Sequence, residues 1–343
     1  MKLFIQIPCL NEEETLPGVI RDIPRSLAGI DDVKVLVIDD GSSDRTVEVA
    51  YREGADYVIK LPYNQGLAKA FSTGVNTCLE MGADIIVNTD GDHQYSGQDV
   101  DRLIQPILQG KADIVIGDRQ TKKLSHFSPL KKTLQKLGSR TVSLLSNVSI
   151  PDATSGFRAY SRDAALRLNV FSKFSYTLET IIQAGKNQMA VVHVPVHANG
   201  PERPSRLFSS LSVYLKRSIA TILRIYVLYE PLRTLFYVGG AIFFVGALGI
   251  LRFLYFYFTG SGNGHIQSLV ISGVLLAMGF HVWVLGILAD LVSINRRLSE
   301  EILYRMKRNG NFLEAGARRI SRQNLKKHHV SREAKVKALE IAK

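Results

Sequence analysis

Asp84-Ile85-Ile86-Val87-Asn88, followed by Thr89-Asp90-Gly91-Asp92-His93-Gln94, decides the fold of this chain. The apolar run reads as a buried parallel strand, and the polar run as the loop at its C-terminal end. Two carboxylates one residue apart, Asp90 and Asp92, can grip one hard divalent cation there. Gln94 adds a neutral oxygen at the same alternate spacing. Oxygen donors of this kind suit Mg²⁺ or Mn²⁺, ions usually shared with substrate phosphates.

Four further runs repeat the pattern. Leu3-Phe4-Ile5-Gln6-Ile7 reads as a first strand, broken by Pro8 and followed by Cys9-Leu10-Asn11-Glu12-Glu13-Glu14. Asn11 is placed as a helix N-cap, with the glutamates at the positive end of that helix. A second strand, Val33 to Ile38, runs into Asp39-Asp40-Gly41-Ser42-Ser43-Asp44-Arg45-Thr46. Tyr57-Val58-Ile59 precedes Asn64-Gln65-Gly66-Leu67-Ala68-Lys69-Ala70, and Asp113-Ile114-Val115-Ile116 ends in Gly117-Asp118-Arg119. Each polar cluster follows a strand and alternates with helical stretches of about 15 residues. In an open doubly wound sheet those strand ends share one edge, where ligands bind. The fold class expected is α/β, Rossmann-like, with a mostly parallel sheet.

The ordered motifs Pro8-Cys9-Leu10-Asn11-Glu12, Asp39-Asp40-Gly41-Ser42, Asn64-x-Gly66 and Asp90-Gly91-Asp92 resemble those of inverting glycosyltransferase family 2. Ser155-Gly156-Phe157-Arg158, Glu179 and Arg203-Pro204-Ser205-Arg206 look like its polyprenyl-phosphate branch, which includes dolichol-phosphate mannose synthase and undecaprenyl-phosphate sugar transferases. The similarity covers roughly residues 1–295. It implies a nucleotide-binding fold of the glycosyltransferase A type.

Composition divides the chain. Its 343 residues leave room for one catalytic domain and something more. Charged residues are 22% and hydrophobic ones 46%, but unevenly spread: 1–208 reads as a cytoplasmic catalytic domain. Ser209 to Glu230 reads as an amphipathic helix lying on the membrane surface, with Leu211, Leu215, Ile219, Ile222 and Tyr226 on one face and Lys216, Arg217 and Arg224 on the other. Residues 231–294 read as a transmembrane hairpin, with spans over about 235–258 and 266–294. The first run spans roughly 36 Å, enough for a bilayer core of about 30 Å. His281 and Asp290 are the only ionisable residues of the second.

The loop between the spans has no Lys or Arg, whereas residues 294–343 hold 14 Lys/Arg against 5 Asp/Glu. That tail, 295–343, carries most of the formal charge of +12. The positive-inside rule then puts both termini and the catalytic domain in the cytoplasm, at a cell inner membrane. The tail reads as resting on anionic headgroups or as a solvated end; nothing in it suggests nucleic acid. No cleavable signal peptide is visible, and the two cysteines, Cys9 and Cys78, fit a reducing compartment. A homo-oligomer is left open.

By the resemblance, Pro8, Leu10, Glu12, one of Asp39 and Asp40, and the Asp90-Gly91 turn line the nucleotide. Leu10 stands where the family often has an aromatic residue. Asp92 and Asp152 are the catalytic candidates, Asp90, Asp92 and Gln94 the ligands of Mg²⁺ or Mn²⁺. Arg119, Lys131, Lys132, Arg203 and Arg206 are candidates to bind the acceptor phosphate or the donor. Arg158 is counted with them, or pairs with Asp152 or another acid. Glu179 is placed on sugar hydroxyls, and His193 and His197 are read as structural.

The expected activity moves one sugar, from a UDP- rather than a GDP-sugar, to a membrane polyprenyl phosphate with inversion. That acceptor is largely dianionic at neutral pH, its second pKa being about 6, so a positioning role for Asp152 stands beside general-base catalysis. The alternatives are transfer to a lipid alcohol such as diacylglycerol, and a catalytically silent membrane interaction protein.

Overall fold

In the computed structural model the residues described are 1–120, 139–140, 142–143, 146, 148–170, 176–199, 220, 226–227, 229–260 and 266–308. They fall into two compact units, Met1–Ser209 with Ile302–Lys343, and Ser210–Glu301.

The first unit is built on one seven-stranded sheet. Its strands are β1 (Lys2–Cys9), β2 (Asp32–Asp39), β3 (Tyr57–Lys60), β4 (Ile85–Asn88), β5 (Ile114–Asp118), β6 (Arg158–Ser161) and β7 (Val191–Pro195). The order across the sheet is β3-β2-β1-β4-β6-β5-β7. Every neighbouring pair is parallel except those of β6, which runs antiparallel to both β4 and β5. β1 lies between β2 and β4, and both its faces are buried from Leu3 to Cys9, which is why it reads as an apolar run interrupted only by Gln6.

Pro8 does not break this strand. It stays in register with Ile38 of β2, at a level where pairing with β4 has already ended at Gln6. Only one neighbour runs beside it there, so its missing N–H is tolerated. The connecting helices are α1 (Leu16–Asp22), α2 (Thr46–Arg52), α3 (Leu67–Glu80), α4 (Val100–Leu108), α5 (Arg162–Arg167) and α6 (Tyr176–Lys186). Most are shorter than the sequence pattern suggested, because much of each connection is spent on the loop at the strand end. α5 starts directly after β6, with the Ser161 hydroxyl accepting from the Ala164 N–H at 3.2 Å as its N-cap.

The second unit contains α7 (Pro231–Phe258) and most of α8 (Ile266–Arg308). Each has a mean hydropathy of 2.1 over its most apolar stretch and is long enough to cross a membrane. The two helices cross closely: a Cβ at Gly239 would lie 2.9 Å from the Gly279 carbonyl. Trp283 Nε1 donates to the Phe236 carbonyl at 3.1 Å. Small residues at such a crossing let backbones approach in lipid. The amphipathic stretch over 209–230 lies almost wholly outside the described residues, as does the tail beyond Arg308.

Candidate active site

The C-terminal ends of β1, β2, β4 and β5 meet at one edge of the sheet. Because β6 runs the other way, its beginning and the Asp152–Phe157 loop before it come to that same edge. The loops there are joined side chain to backbone. Asn11 has φ 56°, accepts from the Ser43 N–H at 2.8 Å and donates its own N–H to the Ser42 hydroxyl at 2.8 Å. It is therefore not the N-cap expected of it; α1 begins five residues later, after Thr15. A left-handed residue suits Asn better than most, and here it turns the β1 loop onto the β2 loop. The Glu12 N–H donates to the Thr46 hydroxyl at 2.8 Å, and the Glu12 carboxylate accepts from the Thr15 hydroxyl at 2.8 Å.

Asp39 and Asp40 separate in role. Both Asp40 oxygens are taken, by the N–H groups of Gln65 and Gly66 at 2.8 Å each. Burial raises its pKa against the pull of those two donors. Asp40 thus fastens the β3–α3 loop, while Asp39 accepts only longer bonds, 3.1 and 3.3 Å, from the Ser42 N–H. Both carboxylates are buried, Asp39 at 0% and Asp40 at 3% exposure.

Asp90-Gly91-Asp92 lies against the Pro8–Glu12 loop. A Cβ at Gly91 would come within 2.9 Å of Cys9 Sγ and 3.3 Å of Glu12 Cγ. A Cβ at Gly156 would come within 2.5 Å of Asp90 Oδ2. Glycine at both positions is thus what admits the acidic loop. Burial, then the charge of Asp92, pushes the Asp90 pKa up, with Glu12 adding to it; Arg119 and Arg158 pull the other way. Carboxylates held together at that electrostatic cost are stabilised by a divalent cation. Among the described residues no group of three or more His, Cys, Asp or Glu forms a cage by itself. Two carboxylates completed by phosphate oxygens and water are what Mg²⁺ or Mn²⁺ ordinarily accepts, so the residues fit such an ion.

Gln94 does not join them as expected. Its Nε2 donates to Asp92 Oδ2 at 2.8 Å and its backbone N–H to Asp92 Oδ1 at 3.3 Å, so it orients Asp92 rather than offering an oxygen. The loop is also held from the segment that follows β7. Asn199 donates its backbone N–H to the Gln94 carbonyl at 2.9 Å and its Nδ2 to the His93 carbonyl at 3.0 Å.

Asp152 is 1% exposed and gripped by Arg119. Arg119 Nε donates to Asp152 Oδ2 at 2.7 Å, and Nη2 donates to Asp152 Oδ1 at 3.1 Å and to the Thr154 hydroxyl at 2.9 Å. This two-pronged pair is among the stronger polar contacts a protein makes. Arg158 is fully buried, so the reading of it as a phosphate- or donor-binding cation fails. Its donors go to the carbonyls of Ser155, Thr177 and Ala153 and to the Thr180 hydroxyl, at 2.8 to 2.9 Å. It shapes the loop and lends Asp90 a positive neighbour. Glu179 is buried on α6, at 3% exposure. Lys131, Lys132, Arg203 and Arg206 lie outside the described residues. His193 is exposed on β7, and His197 pairs with Asp99 at 3.0 Å.

Sequence reasoning missed the frame beneath these groups. Gln6 Nε2 donates to Asn88 Oδ1 at 2.9 Å, and Asn88 Nδ2 donates to the Gly156 carbonyl at 2.9 Å and the Tyr176 hydroxyl at 2.8 Å. The Gly156 N–H donates to the Tyr95 hydroxyl at 3.0 Å. Polar residues inside the apolar β1 and β4 runs, Gln6 and Asn88, were the available signal.

Residues 4–168 match the family model described as Glycosyl transferase family 2. A UDP-N-acetylglucosamine–dolichyl-phosphate N-acetylglucosaminyltransferase of Methanococcus voltae is 28% identical over 57% of this chain and 84% of its own length. The undecaprenyl-phosphate mannosyltransferase of Micrococcus luteus is 28% identical over 57% of this chain and 83% of its own. Among solved structures, glucosyl-3-phosphoglycerate synthase of Mycobacterium tuberculosis, crystallised with Mn²⁺, uridine diphosphate and phosphoglyceric acid, has a TM-score of 0.53. It is 22% identical, covering 66% of this chain and 78% of that one, which shows a shared fold.

Proposed function

The chain belongs to glycosyltransferase family 2, and from that premise we propose that it transfers one sugar from a nucleotide sugar to a membrane polyprenyl phosphate, with inversion. The observation that carries the reading is the meeting of the acidic Asp90/Asp92 pair and the Arg119–Asp152 pair on one sheet edge. The relatives that act on dolichyl and undecaprenyl phosphates support the acceptor class. Two apolar helices support a membrane-bound enzyme.

Pro8, Leu10, Glu12 and Asp39 form the wall for the base and ribose, and UDP is the donor nucleotide. Asp90 and Asp92 would hold Mg²⁺ or Mn²⁺, which would supply positive charge beside the leaving diphosphate. A phosphate oxygen of the acceptor attacks C1 of the sugar. The C1–O bond to the nucleoside diphosphate breaks in the same displacement, so the anomeric centre inverts. The nucleophile is a dianion above about pH 6 and has no proton to lose. Asp152 therefore acts by fixing Arg119, whose guanidinium binds the acceptor phosphate. Lys131, Lys132, Arg203 and Arg206 are the further candidates for the acceptor phosphate, and Glu179 the candidate for the sugar hydroxyls. A lipid alcohol would need Asp152 as a base, and its two bonds from Arg119 favour the phosphate instead. The positive-inside rule puts the site in the cytoplasm, at the inner membrane.

The test supplies purified protein in vesicles with Mn²⁺, a panel of radiolabelled UDP- and GDP-sugars, and either undecaprenyl phosphate or diacylglycerol. Label in the lipid phase with undecaprenyl phosphate alone is the expected result. Label only with diacylglycerol, or with neither, overturns the reading.

A further inference from the structure

The second apolar helix continues well past its apolar stretch. α8 carries on from the Ile266–Ile294 run to Arg308. That is about 65 Å of helix at about 1.5 Å per residue, against a bilayer core of about 30 Å. From Ile302 onward the helix belongs to the compact unit that contains the sheet.

There Tyr304 is 6% exposed, unusual for the end of a basic, solvent-facing helix. Its hydroxyl donates to Asp163 Oδ1 at 2.6 Å. The Arg167 guanidinium lies over its ring, 4.1 Å from the centroid, and Arg167 Nε donates to Asp163 Oδ2 at 2.8 Å. Tyr304, Asp163 and Arg167 thus close a three-membered contact. Lys307 Nζ reaches Asn169 Oδ1 at 3.1 Å, and Arg308 Nη1 reaches the Tyr304 hydroxyl at 3.4 Å. Burial alone would raise the Asp163 pKa, but the Tyr304 hydroxyl and Arg167 outweigh it and hold it down.

The partners of Tyr304 sit on α5, and α5 leaves β6 through the single capping residue Ser161. β6 starts at Arg158, immediately after Gly156 and Phe157 of the catalytic loop. A run of about ten residues therefore connects the Tyr304 contact to the groups around Asp90.

We propose that Tyr304, with Asp163 and Arg167, is a tether that docks the last turns of α8 on α5, and that transfer to an acceptor presented from the bilayer depends on this contact. These are positioning residues, and none touches the reacting atoms. The proposal rests on the functional reading above in one respect only, that the acceptor is a membrane lipid.

The test compares the full-length protein with its Tyr304→Ala and Asp163→Asn variants in lipid nanodiscs. The Asp163 side chain is 54% exposed, so its variant keeps the fold if the larger truncation does not. Hydrogen exchange over residues 162–169 should speed up in both variants. With undecaprenyl phosphate in the bilayer, kcat/KM should fall about tenfold or more, as expected for loss of positioning. UDP affinity and transfer to a short-chain, water-soluble polyprenyl phosphate should match the unaltered protein. Tyr304→Phe keeps the ring under Arg167 and should recover part of the loss. Unchanged exchange, unchanged bilayer transfer, or equal loss on both acceptors overturns the tether. If the unaltered protein labels no polyprenyl phosphate, the functional reading fails, and the exchange comparison still decides the tether.

Discussion

Gly156→Ala tests the site's construction through one added methyl group. Its Cβ would lie 2.5 Å from Asp90 Oδ2 and 2.7 Å from Oδ1, where ordinary contact begins at 3.4 Å. Something must move by about 0.9 Å, the difference between 3.4 and 2.5 Å. The glycine backbone is held on both sides, by the Tyr95 hydroxyl at 3.0 Å and Asn88 Nδ2 at 2.9 Å, so the carboxylate is what yields. Displacing a positioned group by about 1 Å costs about 10²-fold in rate. The backbone at 156 is not left-handed, so the fold tolerates alanine and the melting temperature should shift by only a few degrees. Initial rates over a Mn²⁺ titration should show kcat/KM down about 10²-fold and more Mn²⁺ needed for half-maximal rate. In an Asp90→Asn background the same change should add little, because the group it displaces has already lost its charge. Wild-type rate and Mn²⁺ dependence in Gly156→Ala would refute the reasoning.

Chelation with EDTA should abolish transfer and Mn²⁺ or Mg²⁺ restore it, while Asp92→Asn should lose most turnover even in excess metal; full activity in chelator removes the ion from the account. Asp152→Asn should slow transfer to polyprenyl phosphate by about 10²-fold or less, the lower end of a general base's contribution, and the rate should rise with pH through about 6 as the acceptor ionises. A dead Asp152→Asn on that acceptor would make Asp152 a true base. The raised folded-state pKa of Asp90 also sets a stability trend. Above the ordinary Asp value of about 3.9 the folded chain keeps a proton that the unfolded chain has lost, so stability in chelator falls as pH rises until the raised pKa is passed. Thermal melts should show this fall, and Asp90→Asn should flatten it.

The alternation of strands and acidic loops was legible because parallel strands buried on both faces are largely apolar runs, as Val35–Ile38 and Ile85–Val87 show. β6 was not legible. Arg-Ala-Tyr-Ser is four residues long and polar at both ends, and its burial comes from neighbours distant in sequence. Arg158 misled for the same reason. An arginine in a loop motif suggests a ligand for phosphate, but its guanidinium is enclosed by carbonyls that only the folded loop assembles. Gln94 had the spacing of a third ligand, and spacing does not say which end of an amide faces the carboxylate. Tyr304 lay in a basic tail, where a lone aromatic gives no periodic signal; its partners are about 140 residues away, a separation of 141 for Asp163.

The central claim is a single displacement by a lipid phosphate on C1 of the donor sugar. The most direct measurement is the mass and anomeric configuration of the lipid product made from undecaprenyl phosphate, Mn²⁺ and whichever α-linked nucleotide sugar the protein accepts. The account predicts undecaprenyl phosphate plus one sugar residue, β-linked through phosphate. An α-linked product, or a sugar carried on a lipid hydroxyl instead of the phosphate, would contradict it.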